Sequence, residues 1–235
     1  AVFGAAVLTA VFGTADTAYP TYEVIATGGS YGSPLRLDAI EVLVTDAAGM
    51  QPRTVKFAGL KPTTGTFIKR GGGWLMSSTA LTNFTGTIRV EEGVLMTEAP
   101  GMTGPADTTA GELFVADGAT FAIAPQKGTC PDYGMNVFNK IHLRGKGHEG
   151  IGALYNGTRG VNVRDTFCGQ IILDADAWTG GAVGARDFGD RSGIAPYALN
   201  GHTLTLGRGG AYVMNRACVE PGHIVIADGA RIQIQ

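Results

Sequence analysis

Two nine-residue stretches of this chain, VADGATFAI (115–123) and IADGARIQI (226–234), are near-copies in register. Each runs from a strand through an acidic residue and a Gly into a second strand, and VEEGVLM (90–96) is a looser third copy. Asp-Gly suits a turn with positive φ, which Gly adopts without a Cβ penalty. A chain that repeats this corner is committed to short straight segments and sharp turns.

The remaining segments agree. RTVKFAG, GTFIKR, GTIRVEEG, GELFVADG, KIHLRG, GQIILDAD, HTLTLG and GHIVIADG each alternate apolar and polar residues and stop at Gly or Asp. That is a strand signal. The best helix candidate, SPLRLDAIEVLV (33–44), opens with a cap-like Ser and a Pro, but its β-branched second half reads as strand. Asp-Gly links also build hairpins in a sandwich or barrel. Near-identical corners and strand starts roughly 20 to 25 residues apart favour stacked coils instead. The expected fold is all-β, a parallel β-helix (β-solenoid) with Gly-rich turns. Residues 31–235 form it, and 1–30 are an apolar extended N-terminal segment, a possible assembly strand.

Composition fits. Gly supplies 37 of 235 residues, more than twice the usual ~7% share. A net charge of −2 gives no basic field for phosphate, so nucleic acid is not an expected partner. Three cysteines, Cys130, Cys168 and Cys218, are too few for a disulfide framework and lack metal spacing. Cys168 and Cys218 each precede a Gly-led strand, so they would either stack one rung apart and bond or remain small buried thiols. The opening AVFGAAVLTAVFGTADTA resembles a signal-peptide core, yet no Lys or Arg precedes Arg36. It is too short and too rich in Gly and Thr for a membrane span.

The stretch KRGGGWLMSSTALTNFTGTIRVEEGVLM resembles the autotransporter-associated β-strand repeat of large bacterial surface proteins. The matching residues are Gly73-Trp74-Leu75, Asn83-Phe84-Thr85-Gly86, Thr87-Ile88-Arg89-Val90 and Gly93-Val94-Leu95. GELFVADGATFAI continues it, and 199–234 resembles a further copy. The resemblance covers roughly residue 67 onward and implies a right-handed parallel β-helix exported to the cell exterior. Family passengers are longer and end in a membrane barrel, so the chain is either a self-assembling unit or a piece of such a passenger.

Several motifs bear on chemistry. Gly28-Gly29-Ser30-Tyr31-Gly32 satisfies G-x-S-x-G, but too little chain precedes Ser30 for the sheet a nucleophile elbow needs. Gly145-Lys146-Gly147-His148-Glu149-Gly150 satisfies G-x-G-x-x-G without a following helix to hold a pyrophosphate. It reads as a glycine turn with Lys146 and His148 in solvent. Asp174 and Asp176 alternate on a strand and face one side, while Asp187 and Asp190 lie among arginines. These four are the candidates if the chain degrades polysaccharide, which requires paired carboxylates; local ion pairs or a weak Ca²⁺ site suit the 187–190 loop better. His142, His148, His202 and His223 match no zinc motif. Trp74 reads as core or rung-edge packing rather than a sugar platform. Asn83 and Asn156 match the glycosylation sequon and read as turns.

The expected function is therefore non-catalytic, with no cofactor and no metal: a secreted or cell-surface structural or adhesive solenoid. Its partners would be further copies in a homo-oligomer or filament, or a polysaccharide or host-surface ligand; the alternative is a polysaccharide-binding or polysaccharide-degrading β-helix. Candidate assembly residues are Ala1, Val2, Phe3, Val7, Leu8, Val11 and Phe12 at one end and Ile232 and Ile234 at the other. A bare strand edge at either end invites pairing.

Overall fold

A computed structural model describes residues 7–12, 21–27, 35–36, 40–46, 49–55, 66–77, 84–97, 103–105, 110–123, 136–157, 165–167, 169–181, 185–188, 197–207, 211–214 and 221–234. Side chains are described for 66–75, 84–97, 103–105, 110–123, 137–157, 167, 169–181, 197–207 and 221–230. Apart from one 3-10 turn at His148–Gly150, the regular structure among these residues is strand.

The strands are β1 (Val7–Phe12), β2 (Thr21–Thr27), β3 (Leu35–Arg36), β4 (Ile40–Asp46), β5 (Gly49–Val55), β6 (Thr66–Arg70) and β7 (Trp74–Ser77). Next come β8 (Thr87–Val90), β9 (Val94–Thr97), β10 (Glu112–Val115), β11 (Thr120–Ile123), β12 (Asn136–Val137), β13 (Lys140–Gly145), β14 (Leu154–Asn156) and β15 (Asp165–Phe167). The last are β16 (Ile171–Gly181), β17 (Ala185–Phe188), β18 (Tyr197–Ala198), β19 (Thr203–Leu206), β20 (Ala211–Met214), β21 (His223–Ile226) and β22 (Arg231–Ile234). Antiparallel pairing joins only β1 to β2 and β4 to β5 among these; all other pairs are parallel.

Parallel pairing sorts the strands onto three faces. The first holds β2, β6, β8, β10, β13, the start of β16 and β18. The second holds β3, β7, β9, β11, β14, the end of β16, β19 and β21. The third is the separate sheet β12-β15-β17-β20-β22. First and second faces form one curled sheet because β16 runs through both: Ile171 to Leu173 pair with β13, and Thr179 to Gly181 pair with β14. The step between equivalent first-face residues is 21 from Phe67 to Ile88, 25 on to Leu113, 28 on to Ile141 and 30 on to Ile171. Strands and corners thus hold their register while the coil length varies.

Strand alternation sends every second side chain inward. On the second face Leu75, Leu95, Phe121, Leu154, Thr179 and Leu206 form one registered column, each at most 4% exposed. First-face residues such as Ile88, Leu113 and Ile141 and third-face residues Val137 and Phe167 join the same core. Full burial of one such side chain stabilises by about 1.5–3 kcal/mol. Phe84, the aromatic of the Asn-Phe-Thr-Gly motif whose Asn83 lies outside the described residues, is fully buried in this core. Strands β9 and β11 are buried on both sides, because Val94, Met96 and Ala122 form a smaller apolar cluster rimmed by Trp74, Ile151 and Tyr155.

The repeated corner is a four-residue turn. Ala119 N–H donates to Ala116 O at 3.0 Å, and Ala230 N–H donates to Ala227 O at 3.0 Å. Gly118 and Gly229 take φ of 75° and 80°, as Asp-Gly predicts. The register corrects one expectation: the two near-copies are not one corner used twice. The first joins first face to second face, and the second joins second face to third, since β21 aligns through β19 and β16 with β14. The looser copy at 91–93 does stack under 116–119.

Candidate functional site

The outer side of the first face carries a registered row of charged and aromatic side chains. Alternation places Ile68, Arg89, Phe114, His142 and Ile172 in one outward row across successive coils. The Arg89 guanidinium lies 5.4 Å from the Phe114 ring centroid, and the His142 ring stacks on Phe114 at 4.2 Å and 19°. Phe114 is therefore covered by Arg89 from one coil and His142 from the next. Neither ring face is left for a sugar to stack on.

Beside this row, charges alternate. Arg70 Nη2 donates to Glu91 Oε2 at 3.0 Å, and Arg89 Nε lies 3.5 Å from Glu91 Oε1. Arg144 Nη2 donates to Asp174 Oδ2 at 3.3 Å, and His142 Nδ1 lies 3.1 Å from Asp174 Oδ1. Arg89, Glu91, Phe114, Asp117, Arg144 and Asp174 line a shallow groove of about 200 Å³. Partial burial pushes the Asp174 carboxyl up, but the hydrogen bonds and charges of His142 and Arg144 outweigh it and leave the group below its ordinary value. A glycosidase acid needs the opposite shift. Asp174 is held as an ion-pair acceptor between coils.

The other candidate carboxylates do not converge with it. Asp176 faces the same outer side, as alternation predicts, but its Oδ1 accepts the Thr203 N–H at 2.8 Å and anchors the following turn. Asp187 lies on β17 in the third sheet, and Asp190 lies outside the described residues. Among the described residues no three His, Cys, Asp or Glu side chains come together as a metal site.

The glycine motif at 145–150 is a turn: Gly145, Gly147 and Gly150 all have positive φ around one 3-10 turn. Lys146 is exposed, its amine 4.8 Å from the Trp178 ring. His148 departs from expectation, since its side chain is 17% exposed and meets Trp74 edge-on at 6.4 Å. Its backbone N–H donates to Thr120 Oγ1 at 2.8 Å, and that hydroxyl donates to Gly152 O at 2.8 Å, which pulls the turn onto the neighbouring coil. Asn156 is the last residue of β14 rather than a turn and is buried.

The residue that pattern reading passed over is Lys69. Register places it inward, in line with Val90 and Val115. It is fully buried, and its amine donates to the carbonyls of Gly71 at 2.5 Å, Glu92 at 2.6 Å and Gly73 at 2.7 Å. Burial pushes its ammonium down to about 8, opposed by the Glu92 charge. The Glu92 carboxylate in turn accepts the Gly71 N–H at 2.9 Å. Lys69 thus ties two stacked corners together. The signal lay in GTFIKR, whose alternation puts Phe67 and Lys69 on one side.

Of the assembly candidates, Val7, Leu8, Val11 and Phe12 lie on β1, paired antiparallel with Thr27, Ala26, Glu23 and Tyr22 of β2. Ile232 and Ile234 lie on β22, paired with Tyr212 and Met214. Ala1, Val2, Phe3, the three cysteines Cys130, Cys168 and Cys218, and the glycine-serine motif at 28–32 lie outside the described residues. Among the described residues no helix is long and apolar enough to cross a membrane. Comparison with family models, curated proteins and solved structures gives no match.

Proposed function

We propose that this chain is a run of β-solenoid coils serving a structural or adhesive role in a secreted or cell-surface protein. In this reading the three faces close into a right-handed coil, and coils assemble head to tail. The observation that carries it is the inward column of the second face, in which six successive coils present a buried residue at one registered position. Stacked units of this kind gain stability from each neighbour and extend by adding more. The outward groups support the same reading, because Arg89, Phe114, His142 and Asp174 are spent on holding coil to coil. The resemblance of roughly residue 67 onward to the autotransporter-associated repeat agrees with this reading and is the reason for placing it outside the cell.

Electron microscopy of the purified chain tests the reading. Rods with a rung repeat of about 4.8 Å along their axis are expected. Compact isolated particles without that repeat would sink the assembly role. Protease treatment of intact source cells should remove the protein, and full protection would place it inside the cell instead. Saturable binding of a uronate-containing or neutral polysaccharide, lost on Asp174→Asn, would move the assignment to the polysaccharide class.

A further inference from the structure

The sequence contains four steps at which Asp or Asn precedes Gly: Asp117-Gly118, Asn156-Gly157, Asn200-Gly201 and Asp228-Gly229. At such a step the Gly nitrogen can attack the side-chain carbonyl, because Gly presents no Cβ to hinder the approach. In an unstructured chain the Asn steps react first, since a neutral amide accepts a nucleophile more readily than an ionised carboxylate. The fold reverses that order. Asn156 is buried at the end of β14, and the Gly157 N–H donates to Ile123 O at 2.7 Å. Asn200 is exposed but fixed at both reacting groups: its Nδ2 donates to Leu173 O at 3.0 Å, and the Gly201 N–H donates to Pro221 O at 2.6 Å.

The Asp117-Gly118 corner is built otherwise. Both residues are exposed, and a Cβ placed on Gly118 would meet nothing within 4 Å. Rung hydrogen bonds bracket the corner, Ala116 N–H to Val90 O and Thr120 N–H to Gly93 O, each at 2.9 Å. Inside that bracket Ala119 N–H donates to Ala116 O, which closes the turn and leaves the Gly118 nitrogen on the outside of the bend. The corresponding step one coil earlier is Glu92-Gly93, whose longer side chain would have to close a six-membered ring in a filled corner. Asp228-Gly229 repeats the exposed turn, but Asp228 makes a polar contact of its own.

We infer that Asp117 is a modification site, at which the folded chain converts aspartate to isoaspartate. The Gly118 nitrogen attacks Asp117 Cγ; its proton and the side-chain hydroxyl leave together as water, and a five-membered succinimide closes. Water then opens the ring at either carbonyl. One opening restores aspartate, and the other gives isoaspartate, whose main chain runs through the side-chain carbon. The water lost in the first step is regained in the second, so no co-reactant is needed. The product lengthens the corner by one main-chain atom between two fixed rung bonds.

Peptide mapping of the full folded chain, aged in neutral buffer, tests this. Trypsin separates the informative steps onto different peptides, 90–127, 147–159 and 192–208. Mass spectrometry with electron-transfer fragmentation should show isoaspartate accumulating at Asp117 while Asn156 and Asn200 stay intact. In guanidinium chloride the order should invert, with deamidation of both Asn residues overtaking Asp117. Asp117→Glu should abolish the isomer at that position and leave the melting curve unchanged. Deamidation of either Asn ahead of Asp117 in the folded chain would overturn the proposal. So would isoaspartate that forms at Asp117 only in denaturant, because the corner would then protect the step it is held to expose.

Discussion

Gly93 and Gly118 occupy the same corner in successive coils, yet replacing each with Ala should cost very different amounts. Both have positive φ, 64° and 75°. A side chain in that region costs about 1–2 kcal/mol. At Gly118 a Cβ would meet nothing within 4 Å, so the backbone term is the whole cost. At Gly93 it would lie 2.5 Å from the carbonyl oxygens of both Gly71 and Gly73 and collide with the Lys69 amine. Those oxygens are two of the three that hold Lys69, so relief requires moving the corner or expelling the amine. Overpacking of this kind adds about 1–3 kcal/mol. The expected costs are therefore about 1–2 kcal/mol for Gly118→Ala and about 2–5 kcal/mol for Gly93→Ala. At roughly 2–4 °C per kcal/mol for a chain of this size, the melting temperatures should fall by about 2–8 °C and about 4–20 °C respectively. Thermal and urea unfolding followed by circular dichroism, with both variants beside the parent, measures this. Equal losses for the two variants would refute the claim that the Lys69 corner is filled to capacity.

Two further predictions concern charge. The Lys69 amine titrates near 10.5 when unfolded and at about 8 when folded, chiefly because it is buried. Between those values only the unfolded state keeps the proton, so stability rises with pH through that window. Urea midpoints for the parent should climb across it more than those of Lys69→Met, and parallel curves would remove the assignment. Asp174 has the opposite sign: its folded pKa lies below the ordinary 3.8 despite partial burial, because His142 and Arg144 bind the carboxylate. Its contribution is present above pH 3.8 and disappears as pH falls through the lower folded value. Asp174→Asn should therefore cost up to about 1 kcal/mol near neutrality and progressively less in acid; a loss independent of pH would mean that packing, not ion pairing, holds the side chain.

Much of the strand pattern was legible because alternation and Gly stops are local. GTFIKR, GTIRVEEG, GELFVADG, KIHLRG and GHIVIADG each contain a strand where the pattern places one, and SPLRLDAIEVLV contains β3 and the start of β4. Parallel stacking could be inferred from repeated corners, but which corner each repeat serves could not. That depends on β16, whose eleven residues pass from first face to second without the Gly that marks the other corners. Lys69 was hidden for a related reason. A lysine is expected in solvent, and only the carbonyls of Gly71, Gly73 and Glu92, brought together by two coils, make its inward position tolerable. The ladder of Arg89, Phe114 and His142 likewise joins three separate strands, and no single stretch of sequence displays it.

The placement of the two ADGA turns on different corners bears on how such a chain can be cut and rejoined. Recombination favours the longest matching stretches, and 115–123 and 226–234 are an obvious pair. A crossover there would join first-face strand β10 directly to third-face strand β22, with no second-face strand between them. Deletions that respect register, such as Val90 joined to Ala116 or Leu206 joined to Ala227, would remove whole coils and leave the phase intact. In this molecule, sequence identity marks where an exchange is easy, whereas hydrogen-bond register marks where the product still folds.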